Sequence, residues 1–342
     1  MSDPEARLSI WVVMPTYNGA AHLHDQLRSI ADQHRLPDGL IASDDRSTDE
    51  TFSILEEFAR SVPFPVRLVR QESNRGLLDN LESALEQIID TADVIAFADQ
   101  DDVWAPDKLA VLEEAFGDES TLLWFSDADF IDGQGQPYGS RLWQSVTVAE
   151  HDDLNEAQHL PRFIVGQTIF GTAMAARCSL VRAGLPFPRT RELDGHAHFL
   201  HDGWLGLIAH LRHGVALEPR TLTHYRQHDR QFTGMSVLHA AEDNTPDRRR
   251  TIDSVRVLGE QRRLQSVDDH LRRPHTLDFL GGTLPTDLTN RVDFLTARAE
   301  VVTGRRGPWS LLRHRREYAR YADGWTTTLA DCARWARAWR RS

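Results

Sequence analysis

Apolar and polar positions alternate between two periods over the first hundred residues. Residues 8–14 form a short apolar run ending at Pro15, the pattern of a buried strand. Ala21, Leu23, Leu27, Ile30 and Ala31 then recur at helix spacing within residues 20–33. Residues 40–43 predict a second strand. Ser47, Thr48 and Asp49, of the types that cap helices, precede the apolar positions Phe52, Leu55 and Phe58. Residues 66–70 predict a third strand. Residues 76–89 predict a helix with Leu77, Leu81, Ala84, Leu85 and Ile88 on one face. Residues 94–98 predict a fourth strand that runs straight into acids. This alternation predicts an α/β fold, a mostly parallel sheet covered by helices, with ligands bound beyond the carboxyl ends of the strands. The polar clusters fall there: Thr16-Tyr17-Asn18, Asp44-Asp45, and the acids from Asp99 to Asp102.

Farther along, residues 122–131 predict another strand, with a turn at Gly133-Gln134-Gly135. Residues 163–176 mix glycine with apolar residues and fit a strand or a buried helix. Residues 199–211 predict a helix, and residues 217–231 a strand leading into a polar loop. Near Met235 the character changes. A charged break over 243–250 is followed by a helix over 251–272, an irregular Gly- and Pro-bearing linker over 274–290, and then mostly helix. The chain thus divides into residues 1–235, which carry the sheet, and a mostly helical region over 236–342. In that region Trp325, Leu329, Cys332, Trp335 and Trp339 recur at steps of three and four, while Arg334, Arg337, Arg340 and Arg341 fall mainly elsewhere. Two readings of this basic amphipathic stretch stay open: packing on its own domain or a second subunit, and contact with a membrane interface.

Charge narrows the function classes. Lys and Arg number 39 and Asp and Glu 51 in 342 residues, a net charge of −12, which argues against a general nucleic-acid binder. The basic character is confined to the end, where residues 301–342 hold ten arginines against three acids. Two cysteines, Cys178 and Cys332, cannot build a disulfide scaffold, and a reducing, cytoplasmic setting fits. No secretory signal is expected at the N-terminus, and no apolar stretch approaches the length of a membrane span.

The strongest chemical signal is Asp99-Gln100-Asp101-Asp102-Val103-Trp104-Ala105-Pro106-Asp107-Lys108. Three carboxylates within four residues repel one another, and a cation is the natural way to hold them at a strand end. Hard oxygen ligands suit Mg²⁺ or Mn²⁺, ions that usually share their sphere with substrate phosphates. The plain alternative is an acidic turn before a helix. In Asp44-Asp45-Arg46-Ser47-Thr48-Asp49 the last three read as a helix cap, which leaves two acids able to accept from a pyrimidine N–H.

Pro15-Thr16-Tyr17-Asn18-Gly19, Asp44-Asp45-x-Ser47-Thr48-Asp49, Asn74-Arg75-Gly76 and Asp99-x-Asp101-Asp102 occur in this order and at these spacings. Together they resemble the family-2 glycosyltransferases, inverting enzymes of the GT-A fold, over about residues 8–235. The resemblance implies a nucleotide-sugar donor and Mn²⁺ or Mg²⁺. By position, Pro15, Thr16, Tyr17, Asp44, Asp45 and Arg75 would surround the base and phosphates. Asp99, with Gln100, would face the ribose, and Asp101 would bind the metal. His201-Asp202-Gly203-Trp204 resembles the His-Asp-x-Trp of rhamnosyltransferase-like members, which makes Asp202 the candidate base for the acceptor hydroxyl. The alternative for Asp202 is a helix N-cap. His224-Tyr225-Arg226-Gln227-His228 resembles their Tyr-Arg-x-His segment. Arg226 would then clamp the diphosphate and His228 add a metal ligand. Gly171, Thr172 and Trp204 would wall the acceptor side, and Ser126-Asp127 would lie near the donor.

The resulting expectation is metal-dependent transfer of a sugar, L-rhamnose from dTDP-L-rhamnose as the first choice, to a glycan or lipid-linked acceptor of the cell surface at the inner face of the membrane. A UDP-sugar is the rival donor. A sugar-nucleotide nucleotidyltransferase and a non-catalytic scaffold are the rival classes. The former would open with a Gly-rich basic loop where Pro15-Thr16-Tyr17-Asn18 stands. A homo-oligomer is compatible with the tail.

Overall fold

The computed structural model describes residues 7–146, 148–165, 168–189, 200–228, 261, 264–303, 305–314, 316, 331–332 and 335. The chain forms two compact units. The first comprises Met1–Phe187 with Leu200–Gly234, and the second Pro188–Phe199 with Met235–Ser342. The boundary expected at residue 235 lies outside the described residues.

The first unit begins with β1 (Ile10–Thr16), α1 (Leu23–Ala31), β2 (Gly39–Asp44), α2 (Thr51–Ser61), β3 (Val66–Arg70), α3 (Leu77–Ile88) and β4 (Val94–Phe97). β1 pairs in parallel with β2 and β4, and β2 with β3. A strand at the centre of such a sheet is covered on both faces, so it reads as an unbroken apolar run. Ile10 to Met14, Leu40 to Ala42 and Val94 to Phe97 are accordingly all buried. α3 packs on β1 and β2 with Leu81, Ala84, Leu85 and Ile88 inside.

The later elements are β5 (Val103–Trp104), α4 (Lys108–Ala115), β6 (Leu123–Ile131), β7 (Pro137–Arg141), α5 (Leu142–Ser145), α6 (Leu160–Val165), β8 (Met174–Arg177), α7 (Cys178–Gly184), α8 (His201–Leu211) and β9 (Val215–Arg226). The sheet runs β3-β2-β1-β4-β8-β6-β9-β5, with β7 on β6. β8 enters antiparallel to both β4 and β6, whereas β6 and β9 are parallel from Leu123↔Val215 to Ile131↔Arg226. The two-residue β5 pairs antiparallel with β9 through Val103↔His224. The turn over residues 98–102 is therefore held at both ends: it leaves the middle of the sheet at β4 and is hooked to β9 by β5.

Three local expectations are corrected. Residues 163–176 are neither one strand nor one helix: α6, a 3-10 turn over Gly171–Ala173 and β8 share them. Ser47 and Thr48 do not cap α2; they bond to Asp44 and Asn18, and Asp49 alone accepts the Thr51 N–H, at 3.0 Å. Residues 274–290 are not a linker but hold the helix Pro274–Phe279 and the start of the helix Thr286–Val302. Pro274 stands in the first turn, where no N–H is needed. Gly281 and Gly282 close that helix at positive φ, the latter donating to the Leu277 carbonyl at 2.8 Å. Glycine and proline punctuate helices here.

In the second unit Asp331 is fully buried and pairs with Arg298 at 2.7 Å. At that point the tail packs on its own unit. Trp325, Leu329 and Trp339 of the aromatic stripe lie outside the described residues. Cys178 and Cys332 are free thiols, and no described helix is long and apolar enough to cross a membrane.

Leu85 is wholly buried in the α3 face that covers β1, while Glu86 is exposed. Leu85→Ala should cost about 2–5 kcal/mol, read as a shift of the denaturant midpoint, and Glu86→Ala less than about 0.5 kcal/mol.

Candidate active site

Because β1, β2 and β4 are parallel, their carboxyl ends lie side by side, and the loops leaving them meet. The loop after β1 is fixed by its neighbours. The Thr16 hydroxyl donates to Asp44 at 3.3 Å, and the Asn18 N–H to Ser47 Oγ at 2.8 Å. Asn18 and Arg46 both adopt positive φ, as these sharp turns require. The Gln100 amide pairs with the Tyr17 main chain in both directions, accepting its N–H at 2.9 Å and donating to its carbonyl at 3.1 Å. A Cβ at Gly19 would fall 2.2 Å from Gln100 Oε1, so only glycine permits this closure. The Tyr17 ring is left 46% exposed, open to a ligand at the strand ends.

Several residues expected to touch substrate are turned into the protein. Asp44 is fully buried and accepts from Thr16 and from the Ser47 N–H and hydroxyl, so it holds this turn. Asp45 accepts the Arg75 N–H at 2.7 Å and the Gly76 N–H at 2.8 Å, which fixes the entry to α3 and leaves the Arg75 side chain exposed. Pro15 stands in β1 opposite Ser43. Trp204 is buried in the core with its indole N–H on the Gly184 carbonyl at 2.8 Å, so it is a packing residue and no wall of an acceptor pocket. Thr172 is buried with its hydroxyl on Asp102. Asp127 accepts the Trp143 N–H at 2.9 Å and the Ala128 N–H at 2.8 Å, a local cap.

Arg226 is also corrected. It is buried, and its nitrogens donate to the Asp101 carbonyl at 2.7 Å, the Asp132 carbonyl at 3.3 Å and the Asp25 carboxylate at 3.1 Å. Three of its five N–H donors are thus engaged by the protein, and the side chain is packed against the acidic turn. Its role is to hold the acidic turn. Its own N–H meets Asp102 Oδ1 at 2.8 Å.

The acidic turn sorts its three carboxylates by depth. Asp102 is fully buried between Thr172 and the Arg226 main chain; burial first, then the charges of Asp101 and Asp99, push its carboxyl well up. Asp99 is half-buried, and burial together with Asp101 and Asp202 lifts it to about 7, with Lys108 opposing. Asp101 lies 2.9 Å from His228 Nε2. The His22 ring packs on His228 with centroids 4.9 Å apart. Burial and then the Arg226 charge lower the His22 imidazole below its usual range.

Asp202 comes from the other side. It occupies the first turn of α8, whose N-cap is Leu200, so it is not the cap. It accepts the Gly171 N–H at 3.2 Å and the Gly203 N–H at 2.7 Å, and its charge acts on Asp99. His201 fills the space beside it, stacked on Phe97 at 5.3 Å; a Cβ at Gly171 would meet its ring at 2.8 Å. Asp101 and His228 thus meet at the acidic turn, and the Gly171–Thr172 turn, bonded to Asp202 and to Asp102, ties Asp202 to it.

Sequence reasoning missed Lys108, His22 and Asp25. Lys108 is wholly buried in the first turn of α4, with Nζ 2.7 Å from the Thr172 carbonyl and 2.6 Å from Thr223 Oγ1. Burial brings its ammonium down to about 7 against the pull of Asp102 and Asp99. A signal was present, since a cation at the N-terminus of a helix opposes the helix dipole and needs another reason to be there.

Among the described residues, no group of three or more His, Cys, Asp or Glu forms a complete metal cage. The donor set nevertheless fits a divalent ion of the Mg²⁺ or Mn²⁺ kind. Such ions are commonly held by one or two protein groups and complete their sphere with water and substrate phosphate, and Asp101 with His228 supplies a carboxylate and an imidazole side by side.

Comparison with known proteins follows the same lines. The chain is similar to the dTDP-rhamnosyl transferase RfbG of Shigella flexneri, 36% identical over 98 residues that cover 28% of this chain and 34% of that protein. It is 30% identical over 183 residues to the glycosyltransferase TuaG of Bacillus subtilis, whose description assigns it provisionally to teichuronic acid biosynthesis; the match covers 53% of this chain and 67% of that one. The fold is similar to S. aureus TarS, residues 1–349, solved in complex with UDP-GlcNAc, with a TM-score of 0.52 and 16% identity over 98% of this chain and 92% of that one. The architecture is of the GT-A type. The pattern of the family described as Glycosyl transferase family 2 matches residues 11–182, half of the chain, and the chain belongs to that family.

Proposed function

We propose that the protein transfers a sugar from a nucleotide diphosphate to a hydroxyl group by a single inverting displacement. The observation that carries this reading is that Asp202 and the acidic turn share one support, Gly171 bonding to Asp202 and the adjacent Thr172 to Asp102, with Asp101 beside His228. Tyr17, with its ring exposed, and Arg75 flank the place for base and phosphates, and Asp45 keeps that corner in shape. Asp99 serves the ribose. Asp101 and His228 would hold Mn²⁺ or Mg²⁺, and the ion when bound offsets charge developing on the leaving diphosphate.

Asp202 acts as general base. The acceptor oxygen forms its bond to the anomeric carbon while the bond to the diphosphate oxygen breaks, and the acceptor proton passes to the Asp202 carboxylate. The Gly171 and Gly203 N–H groups each hold one carboxylate oxygen, so the side chain is aimed before substrate arrives.

dTDP-L-rhamnose is the donor we favour, supported by the His-Asp-x-Trp and Tyr-Arg-x-His segments and by the local similarity to RfbG. A UDP-sugar is the second reading, favoured by the ligand bound to TarS. A glycan or lipid-linked acceptor of the cell envelope, reached at the inner face of the membrane, completes the proposal and is supported by the description of TuaG.

Asp202→Asn should slow transfer by about 10²–10⁴ while nucleotide binding stays within about threefold of the parent. Near-normal turnover would move the base elsewhere. In thermal-shift measurements, dTDP should stabilise the protein only when Mn²⁺ is present, and Asp101→Ala should abolish that shift. A larger shift with UDP would replace the donor, and no shift with dTDP, UDP, GDP or CDP would count against a nucleotide site.

A further inference from the structure

Lys108 is a buried cation with an unusual set of partners. Its ammonium meets a main-chain carbonyl, a hydroxyl and the face of the Trp104 ring, 4.3 Å from the centroid. Among the described residues no carboxylate oxygen pairs with it directly, although Asp102 and Asp99 lie close enough to feel its charge. Removing a charge from water is costly, and a methionine would fill the same space without that cost. The cation must therefore hold something that an apolar side chain would not.

Its partners show what it holds. Thr172 gives its carbonyl to Lys108 and its hydroxyl to Asp102 of the acidic turn. The preceding residue, Gly171, gives its N–H to Asp202. Thr223 lies on β9, three residues before Arg226, which in turn carries the Asp101 carbonyl and the Asp102 carboxylate. A single ammonium thus joins the turn behind the base to the strand behind the acidic turn. We propose that Lys108 is a positioning residue of the transfer reaction, a strut that fixes Asp202 relative to Asp101 through the Gly171–Thr172 turn and β9 without touching either substrate. The inference rests on Asp202 being the base.

The test is a double-variant cycle on the full chain, using the acceptor and donor that support turnover. Lys108→Met should lower kcat about 10- to 100-fold, the scale expected when a reacting group is displaced by a fraction of an ångström to one ångström. The donor KM, and the Mn²⁺-dependent affinity for nucleoside diphosphate measured by calorimetry, should stay within about threefold. Added to Asp202→Asn, Lys108→Met should slow the enzyme by less than about twofold more, because both changes remove the same function. A merely structural lysine would instead weaken nucleotide affinity along with kcat, and its effect would multiply with that of Asp202→Asn. Either result overturns the proposal.

Should Lys108→Met fail to fold, Thr223→Val and Thr223→Ser decide the matter. The first removes one acceptor of the ammonium at nearly constant shape and should cost several-fold in kcat; the second keeps the hydroxyl and should restore it. Equal rates for both variants would reject the strut. A near-normal Asp202→Asn enzyme would reject the base and the strut together, whereas a near-normal Lys108→Met enzyme rejects the strut alone.

Discussion

Asp102 is a carboxyl group with no access to water, and the site is organised around satisfying it. A buried carboxylate without partners is expensive enough to unfold a local structure. Here the Thr172 hydroxyl approaches from the turn that precedes β8, and the Arg226 N–H from the end of β9. Those segments are 70 and 124 residues away in sequence, and only the antiparallel insertion of β8 beside β4, with β5 hooked to β9, brings them together. The same arrangement sets Asp101 toward His228 and places Gly171 under Asp202. One internal acid therefore determines where Asp101 and Asp202 stand.

The parallel half of the sheet was legible because its strands are covered on both faces. The runs ending at Pro15, Ser43 and Ala98 have no polar side to hide. The acidic turn was legible as well, since carboxylates cluster beyond a buried strand only where something holds them. What composition and spacing do not convey is the direction in which each side chain turns. Arg226 and Asp44 belong to the motifs that were expected to meet substrate, yet each is closed off by bonds to its own chain. Arg226 reaches Asp25 across 201 residues, a separation at which no local pattern carries information. Trp204 is ambiguous for the opposite reason, since a tryptophan beside a candidate base is as well explained by the apolar face of α8. Over residues 274–290 glycine and proline suit a linker as well as helix ends, and here they mark the ends of two helices.

The division of labour among the acids follows from depth. Asp102 and Asp44 are inside and hold turns. Asp99 and Asp101 are only half-buried, Asp202 is buried beside them, and the mutual repulsion of these acids is the electrostatic feature that a cation and a polar donor would relieve. Lys108 stands behind them, its buried amino group bonded to Thr172 and Thr223. The arrangement is preorganised: the groups that would meet a nucleotide sugar are held by main-chain N–H donors and buried side chains before any ligand binds.

The most direct test is a crystal structure of the protein with Mn²⁺ and a nucleoside diphosphate, with the ion located by its anomalous scattering. The account predicts the ion beside Asp101 and His228, Arg226 still bonded to the Asp101 carbonyl, and Asp202 across the sugar site from the diphosphate. An ion bound elsewhere, or an Arg226 side chain released from Asp101 to grip the phosphates, would contradict it.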